Sequence, residues 1–322
     1  MKKKKRQIIN LWKTVFGDSD KFIRLYFKRV YKDENALAIE KNGRVVSALQ
    51  MLPYTMTFCG EEISVAYISG ACTLPSEQGK GLMSNLLQNA FDEMRERKTA
   101  VSVLIPAEKW LFNYYRTRGY TEIFEYSLKI YTRNEYVIPE PGRLAVQQKK
   151  DPDNALYAYF DRKLRERPLG ILHSYEDFAV ILKDLEISNG CFFVAYNHDR
   201  QPAGMAFVFL PEIITGAEDC SVLIKEIMYD SEQVKAHLLY EITRRFNVFK
   251  AVYRIPFNNS QVTYPYGMAR VMDTERLINL WAAAHPECKL SVNDMKAMNI
   301  HALTGHLLGY SERMAYMSLM LD

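Results

Sequence analysis

Residues 73 to 87, Thr-Leu-Pro-Ser-Glu-Gln-Gly-Lys-Gly-Leu-Met-Ser-Asn-Leu-Leu, constrain the fold more than any other stretch of the chain. Before them, Val65 to Cys72 is a run of strand-favouring residues; after them, Leu82, Leu86, Leu87, Ala90, Phe91 and Met94 recur at helical spacing. The order is strand, glycine turn, helix. Such a turn aims unpaired backbone N–H groups and the positive end of a helix dipole at whatever lies in front of it, and the natural occupant is a phosphate. Gly79 and Gly81 allow positive φ and close backbone approach, and Lys80 adds a mobile positive charge. A Gly-x-Gly pair taken alone also fits an ordinary turn, so the surrounding elements have to decide.

Residues 7 to 31 carry two amphipathic helical patterns, around Ile8, Leu11 and Phe16 and around Phe22, Tyr26 and Val30. Two strands, 36 to 40 and 44 to 52, flank Asn42-Gly43, a strong hairpin signal. After the glycine turn and its helix, 101 to 105 reads as a buried strand, 108 to 118 as a helix stopped by Gly119, and 120 to 131 as a strand. The expected fold class is α/β, an α+β mixed sheet with helices on both faces. Pro139-Glu140-Pro141-Gly142 is the best linker candidate. Beyond it the order repeats more faintly: helices at 156 to 167 and 175 to 184, a hairpin from 192 to 197 and 202 to 209, a strand at 221 to 229, a helix at 231 to 246 and a strand at 249 to 254. The glycine turn is missing from this copy, and Asp230-Ser231-Glu232 opens its helix with charges that repel a phosphate. A third piece holds a strand at 267 to 272, a helix at 273 to 284 and one helical pattern over 292 to 308. The chain ends apolar, Tyr316-Met-Ser-Leu-Met-Leu-Asp322, which predicts a terminus tied down in the protein.

A chain of 322 residues predicts two or three domains. Its net charge of +4 is close to zero without the opening Lys2-Lys-Lys-Lys-Arg6 run, so a nucleic-acid partner is not expected. That run is read as a solvated N-terminus, since Ile8 to Phe16 is short, contains Lys13 and ends without a small-residue cleavage site. With no apolar run of the length a membrane span needs, a cytoplasmic protein is expected. Five scattered cysteines, Cys59, Cys72, Cys191, Cys220 and Cys288, make neither a disulfide framework nor a zinc pattern and are expected reduced and buried. His301 and His306 are five apart and share no helical face, and no metal is expected.

The first half resembles the GCN5-related N-acetyltransferases. Their signature, Gln or Arg, two residues, Gly, one residue, then Gly or Ala, matches Gln78 and Gly81, with Met83 departing at the last position. Leu104-Ile-Pro-Ala107 followed by Tyr115-Arg-Thr-Arg-Gly119-Tyr120 resembles their second landmark, a tyrosine four residues before a glycine-aromatic pair. The whole chain is most similar to the branch typified by the enhanced intracellular survival acetyltransferases. That resemblance implies tandem acetyltransferase-like domains (1–135 catalytic, 136–260 degenerate) and, over 261–322, an abbreviated sterol-carrier-like domain beginning near Tyr266 to Asp273.

The resemblance further implies transfer of an acetyl group from acetyl-CoA to a primary amine of aminoglycoside, polyamine or lysine type, with a homo-oligomer as the assembly. The pyrophosphate is then expected on Gly79, Lys80, Gly81, Leu82, Met83 and Ser84 with Gln78 at the turn, and the pantetheine arm along Cys72, Thr73 and Leu74. By resemblance and spacing Tyr115 is the candidate general acid for the departing thiolate, with Tyr114 as its rival. The branch implies the chain's own terminal carboxylate, here Asp322, as the base that frees the amine; Glu108 is a weaker alternative and fits a helix N-terminal charge. Two other readings stand beside this one: a transferase using charged tRNA, and a non-enzymatic lipid or acyl-CoA binding module.

Overall fold

The computed structural model describes residues 2–134, 144–210, 221–258, 261–309 and 315–321. The chain packs as two compact units, the first made of 1–124, 265–315 and 322, the second of 125–264 and 316–321.

In the first unit the opening basic run lies within a helix, α1 (Lys2–Val15), with Lys3 and Arg6 exposed to solvent. Lys4 Nζ donates to the Ala36 carbonyl at 2.9 Å and Lys5 lies over the Tyr31 ring, while Ile8, Leu11 and Trp12 are buried. The charges sit on one side of a helix whose other side is core. Ser19 caps α2 (Asp20–Arg29) by accepting from the Phe22 N–H. β1 (Ala36–Lys41) and β2 (Arg44–Phe58) pair antiparallel through Asn42 and Gly43, both at positive φ as a tight hairpin turn requires. β3 (Glu61–Thr73) follows, then α3 (Leu82–Glu96), β4 (Val101–Leu104) and α4 (Lys109–Arg116). The strands lie in the order β1-β2-β3-β4, with β3 and β4 parallel.

Strand alternation divides this sheet between its two layers. Leu49, Met51, Ala66 and Ile68 pack with Leu86, Leu87, Ala90, Phe91 and Met94 of α3. Gln50 and Ser69, one position out of phase, bond the buried Tyr26 hydroxyl of α2 at 3.2 and 2.8 Å. Each large apolar side chain buried in such a layer is worth about 1.5–3 kcal/mol, so packing more than helix propensity holds α3 in place.

Chain order then gives β5 (Thr121–Thr132), β6 (Ala145–Lys149), α5 (Asn154–Arg165), β7 (Leu169–Leu172), α6 (Tyr175–Ile187), β8 (Cys191–Tyr196), β9 (Pro202–Phe209), β10 (Ser221–Tyr229), α7 (Glu232–Arg245) and β11 (Lys250–Pro256). In the second unit the strands run β5-β11-β10-β9-β8-β6. The run α5, α6, β8, β9, β10, α7, β11 repeats α1, α2, β1, β2, β3, α3, β4. The pairing repeats too: β8, β9 and β10 are antiparallel and β10 and β11 parallel. β6 and β7, of 5 and 4 residues, are strands the periodicity did not reveal, being too short to set a pattern. The core is aromatic, with Phe160 on Phe178 and Phe192 on Phe207 at ring separations of 4.7 and 4.9 Å. The Pro139 to Gly142 linker candidate lies outside the described residues.

The segment for which a sterol-carrier-like domain is expected supplies β12 (Thr263–Val271), α8 (Thr274–Ala284), α9 (Val292–Ala297) and α10 (Ile300–Leu307). Met268 to Val271 pair antiparallel with β4 in the first unit's sheet. The single helix expected over 292 to 308 is two, because Met298 turns extended (ψ 145°) and Asn299 caps α10 by accepting from His301 and Ala302 N–H. The apolar terminus is tied down as its composition predicts. Ala315 to Leu321 are buried, and in the second unit His173 Nε2 meets the Ser318 carbonyl at 3.0 Å. Beside it Arg167 forms a bidentate pair with the buried Glu226 (2.9 and 3.2 Å) and stacks on the Tyr316 ring. Among the described cysteines only Cys72 is buried; Cys59, Cys191 and Cys288 are half-buried free thiols, and Cys220 lies outside the described residues. Among the described residues no helix is long and apolar enough to cross a membrane, and no cluster of His, Cys, Asp and Glu could hold a metal ion.

Candidate active site

A bulge in β3 opens the site. Between the pairs Ala48↔Cys72 and Gln50↔Ser69, β2 spends one residue where β3 spends two, Gly70 and Ala71. Gly70 sits at φ +58°, and a Cβ there would fall 2.2 Å from the Trp12 ring, so both the backbone angle and the space demand glycine. Just before the bulge, the pairing of β3 with β4 stops at Tyr67↔Val103 while β3 runs on to Thr73. The two strands part there. Cys72 pairs with Ala48 and the Leu74 N–H bonds Val46 O at 2.9 Å, so by alternation the Thr73 backbone groups face away from β2, along the gap. Gln78 reaches back to the Thr73 carbonyl (Nε2 to O, 3.4 Å), and the Thr73 and Ser47 hydroxyls lie 2.8 Å apart. The Cys72 thiol is buried and pushed up to about 12, so it stays a protonated packing group.

The turn of residues 74 to 81 ends at the mouth of that gap. Gly79 (φ +75°) and Gly81 (φ +76°) are left-handed, and a Cβ at either would meet nothing within 4 Å. Gly81 is the N-cap of α3 and supplies no side-chain cap, and the first turn, which holds Leu82, Met83 and Ser84, has no acidic residue. Its first N–H groups therefore have no side-chain cap, an arrangement suited to an anion. Lys80 does not add the mobile charge expected of it. Its ammonium donates to Ser76 O at 2.9 Å and pairs with Glu77 at 3.2 Å; Glu77 is itself held below its usual range, first by Lys41 and then by Lys80.

On α4, Tyr115 is buried against Leu86, Leu87, Leu104 and Tyr120, with ring contacts to Tyr120 at 5.8 Å and to Tyr114 at 5.2 Å. Burial, and secondarily Tyr114, raise its pKa while Arg118 opposes, so the phenol holds its proton firmly. Tyr114 is turned instead toward Arg118, whose guanidinium lies 3.4 Å from its ring centre. Glu108 is the exposed N-cap of α4, the helix-terminal position that its sequence suggested. Asp322 lies outside the described residues. Two contributors were not anticipated. Gly70 had a signal, a lone glycine inside a strand pattern; Arg118, whose Nη2 donates to the Ser84 Oγ at 2.6 Å, had none, because its partner is 34 residues away.

A mixed sheet with a bulged strand leading to an uncapped, acid-free helix N-terminus is an α/β arrangement suited to an anionic ligand. Residues 1–123 match the family model for the acetyltransferase (GNAT) domain. The first 123 residues thus carry a GNAT acetyltransferase domain, and with that domain the chain is an enzyme of the acyltransferase class. Solved structures share the fold over most of the length. A probable N-acyltransferase from Enterococcus faecalis V583 is similar at 14% identity and a TM-score of 0.71, covering 87% of this chain and 73% of its own. A GCN5-related N-acetyltransferase from Anabaena variabilis ATCC 29413 is similar at 16% and 0.68, covering 85% and 71%. Eis1 from Mycobacterium abscessus is similar at 12% and 0.67, covering 86% and 73%. A search of curated protein sequences found no match.

Proposed function

We propose that the first unit transfers an acetyl group from acetyl-CoA to a primary amine by direct attack on the thioester. The observation that carries this reading is the uncapped, acid-free first turn of α3 at the end of the β3 gap. The N–H groups of residues 79 to 84 would hold the pyrophosphate, and the Thr73 backbone the pantetheine arm. Acetyl-CoA supplies the activated acyl group and leaves as a thiol. Tyr115, which keeps its proton because it is buried, would protonate the departing sulfur. The terminal carboxylate of Asp322 would take the proton that an ammonium must lose before its nitrogen can attack. The acceptor class proposed is an aminoglycoside, polyamine or lysine-type amine, and residues 261–322 would shape its selection.

The second unit would bind no coenzyme. β10 carries a bulge at Lys225 and parts from β11 after Ile224, as β3 parts from β4. Yet only Asp230 and Ser231 separate β10 from α7, the Ser231 side chain already accepts from the Val234 N–H, and Glu232 stands in the first turn. Calorimetry with acetyl-CoA should give one site per chain, and Gly81→Val should remove it. Thiol release across a panel of amines should then identify the acceptor. Binding without turnover would support an acyl-CoA binding module, and absence of binding would favour a transferase that draws on charged tRNA.

A further inference from the structure

We propose that Arg118 is the cation that binds the donor's phosphates, the role its sequence neighbourhood assigned to Lys80; this rests on the coenzyme reading of the turn. Arg118 follows α4 and reaches back to the third residue of α3, where Nη2 donates to the Ser84 hydroxyl at 2.6 Å. Nη1 is anchored on the Tyr114 carbonyl (2.6 Å) and the Thr117 hydroxyl (2.8 Å), and the guanidinium plane rests on the Tyr114 ring. Nε is buried without an acceptor among the described residues, and no carboxylate there pairs with this side chain. A cation beside a helix N-terminus is opposed by the dipole, and among the described residues its partners are neutral oxygens and a ring, with no carboxylate to balance its charge. The missing counter-charge is that of a phosphate oxygen, which a guanidinium fork accommodates and which the open N–H groups of α3 also face. Lys80 is already occupied by Glu77 and the Ser76 carbonyl. The stacking on Tyr114 keeps the charge fixed in the absence of a donor.

The test compares acetyl-CoA with S-acetyl-pantetheine, which has the same thioester and arm but no phosphate, in the full chain and in Arg118→Gln and Arg118→Lys. Arg118→Gln should weaken acetyl-CoA binding roughly 10- to 100-fold, as expected for a lost hydrogen bond to a charged group, and flatten its dependence on salt. The loss in kcat/KM for acetyl-CoA should exceed the loss for S-acetyl-pantetheine by at least about 10-fold, and Arg118→Lys should fall between. Equal losses with both donors would show that Arg118 merely supports the fold and would overturn the proposal, as would unaltered acetyl-CoA affinity in Arg118→Gln. Failure of the unmutated protein to bind acetyl-CoA would instead remove the coenzyme reading, and this proposal with it.

Discussion

Tyr115 and Tyr114 are adjacent, and their surroundings give them different work. Tyr115 is turned into the layer between α3 and β4, where burial keeps it protonated; Tyr114 is a platform for Arg118. Tyr115→Phe should therefore lower kcat by about 10²- to 10⁴-fold while the calorimetric affinity for acetyl-CoA stays within a few-fold. A turnover number equal to that of the unmutated protein would remove Tyr115 as the acid. In the second unit, burial holds His173 below the usual histidine value of 6.5. A histidine kept neutral in the fold costs stability once the unfolded chain can protonate it. Stability should thus be full above pH 6.5 and decline as pH falls through that value toward the depressed folded pKa, by at most about 1.4 kcal/mol per pH unit. Urea midpoints measured from pH 7.5 to 5 should fall more steeply for the unmutated chain than for His173→Gln, which retains a donor but cannot ionise.

At the scale of elements, the site depends on where β3 leaves β4. Three residues beyond the last β3–β4 pair lies the glycine bulge, packed against the Trp12 ring of α1. Gly70→Ala meets that ring and a left-handed backbone angle together, and should cost about 1–3 kcal/mol by denaturant unfolding. Acetyl-CoA affinity should fall as well. The second unit repeats the same element order and the same parting of strands without the glycine turn. What separates the copies is the connection, residues 74 to 81 with two left-handed glycines in one and Asp230-Ser231 in the other.

For the whole molecule, the strongest expectation concerns the terminus. Residues Ala315 to Leu321 are buried, and on the proposed role of Asp322 as base, deleting Leu321 and Asp322 should abolish transfer and leave acetyl-CoA affinity intact. A truncated enzyme that still turns over would transfer the role of base to another group. Much of the architecture was legible in the chain. The strand, glycine turn and helix, the Asn42-Gly43 hairpin and the fainter second copy depend on contacts within a few residues, which periodicity and turn chemistry report. Short strands such as β7 escaped notice because four residues set no period.

The sequence by itself determined that residues 73 to 87 form a glycine turn between a strand and a helix and that only one of the two copies has it. Those properties follow from backbone freedom and local charge. Tertiary structure alone decided which cation faces the turn, why Gly70 must be glycine and where Tyr115 points. Lys80 is beside the turn in sequence but is drawn onto Glu77, itself bonded to Lys41, 36 residues away; Arg118 is remote in sequence and is brought to Ser84 by the packing of α4 on α3. Side chains this long choose partners in space, and a linear pattern does not encode that choice.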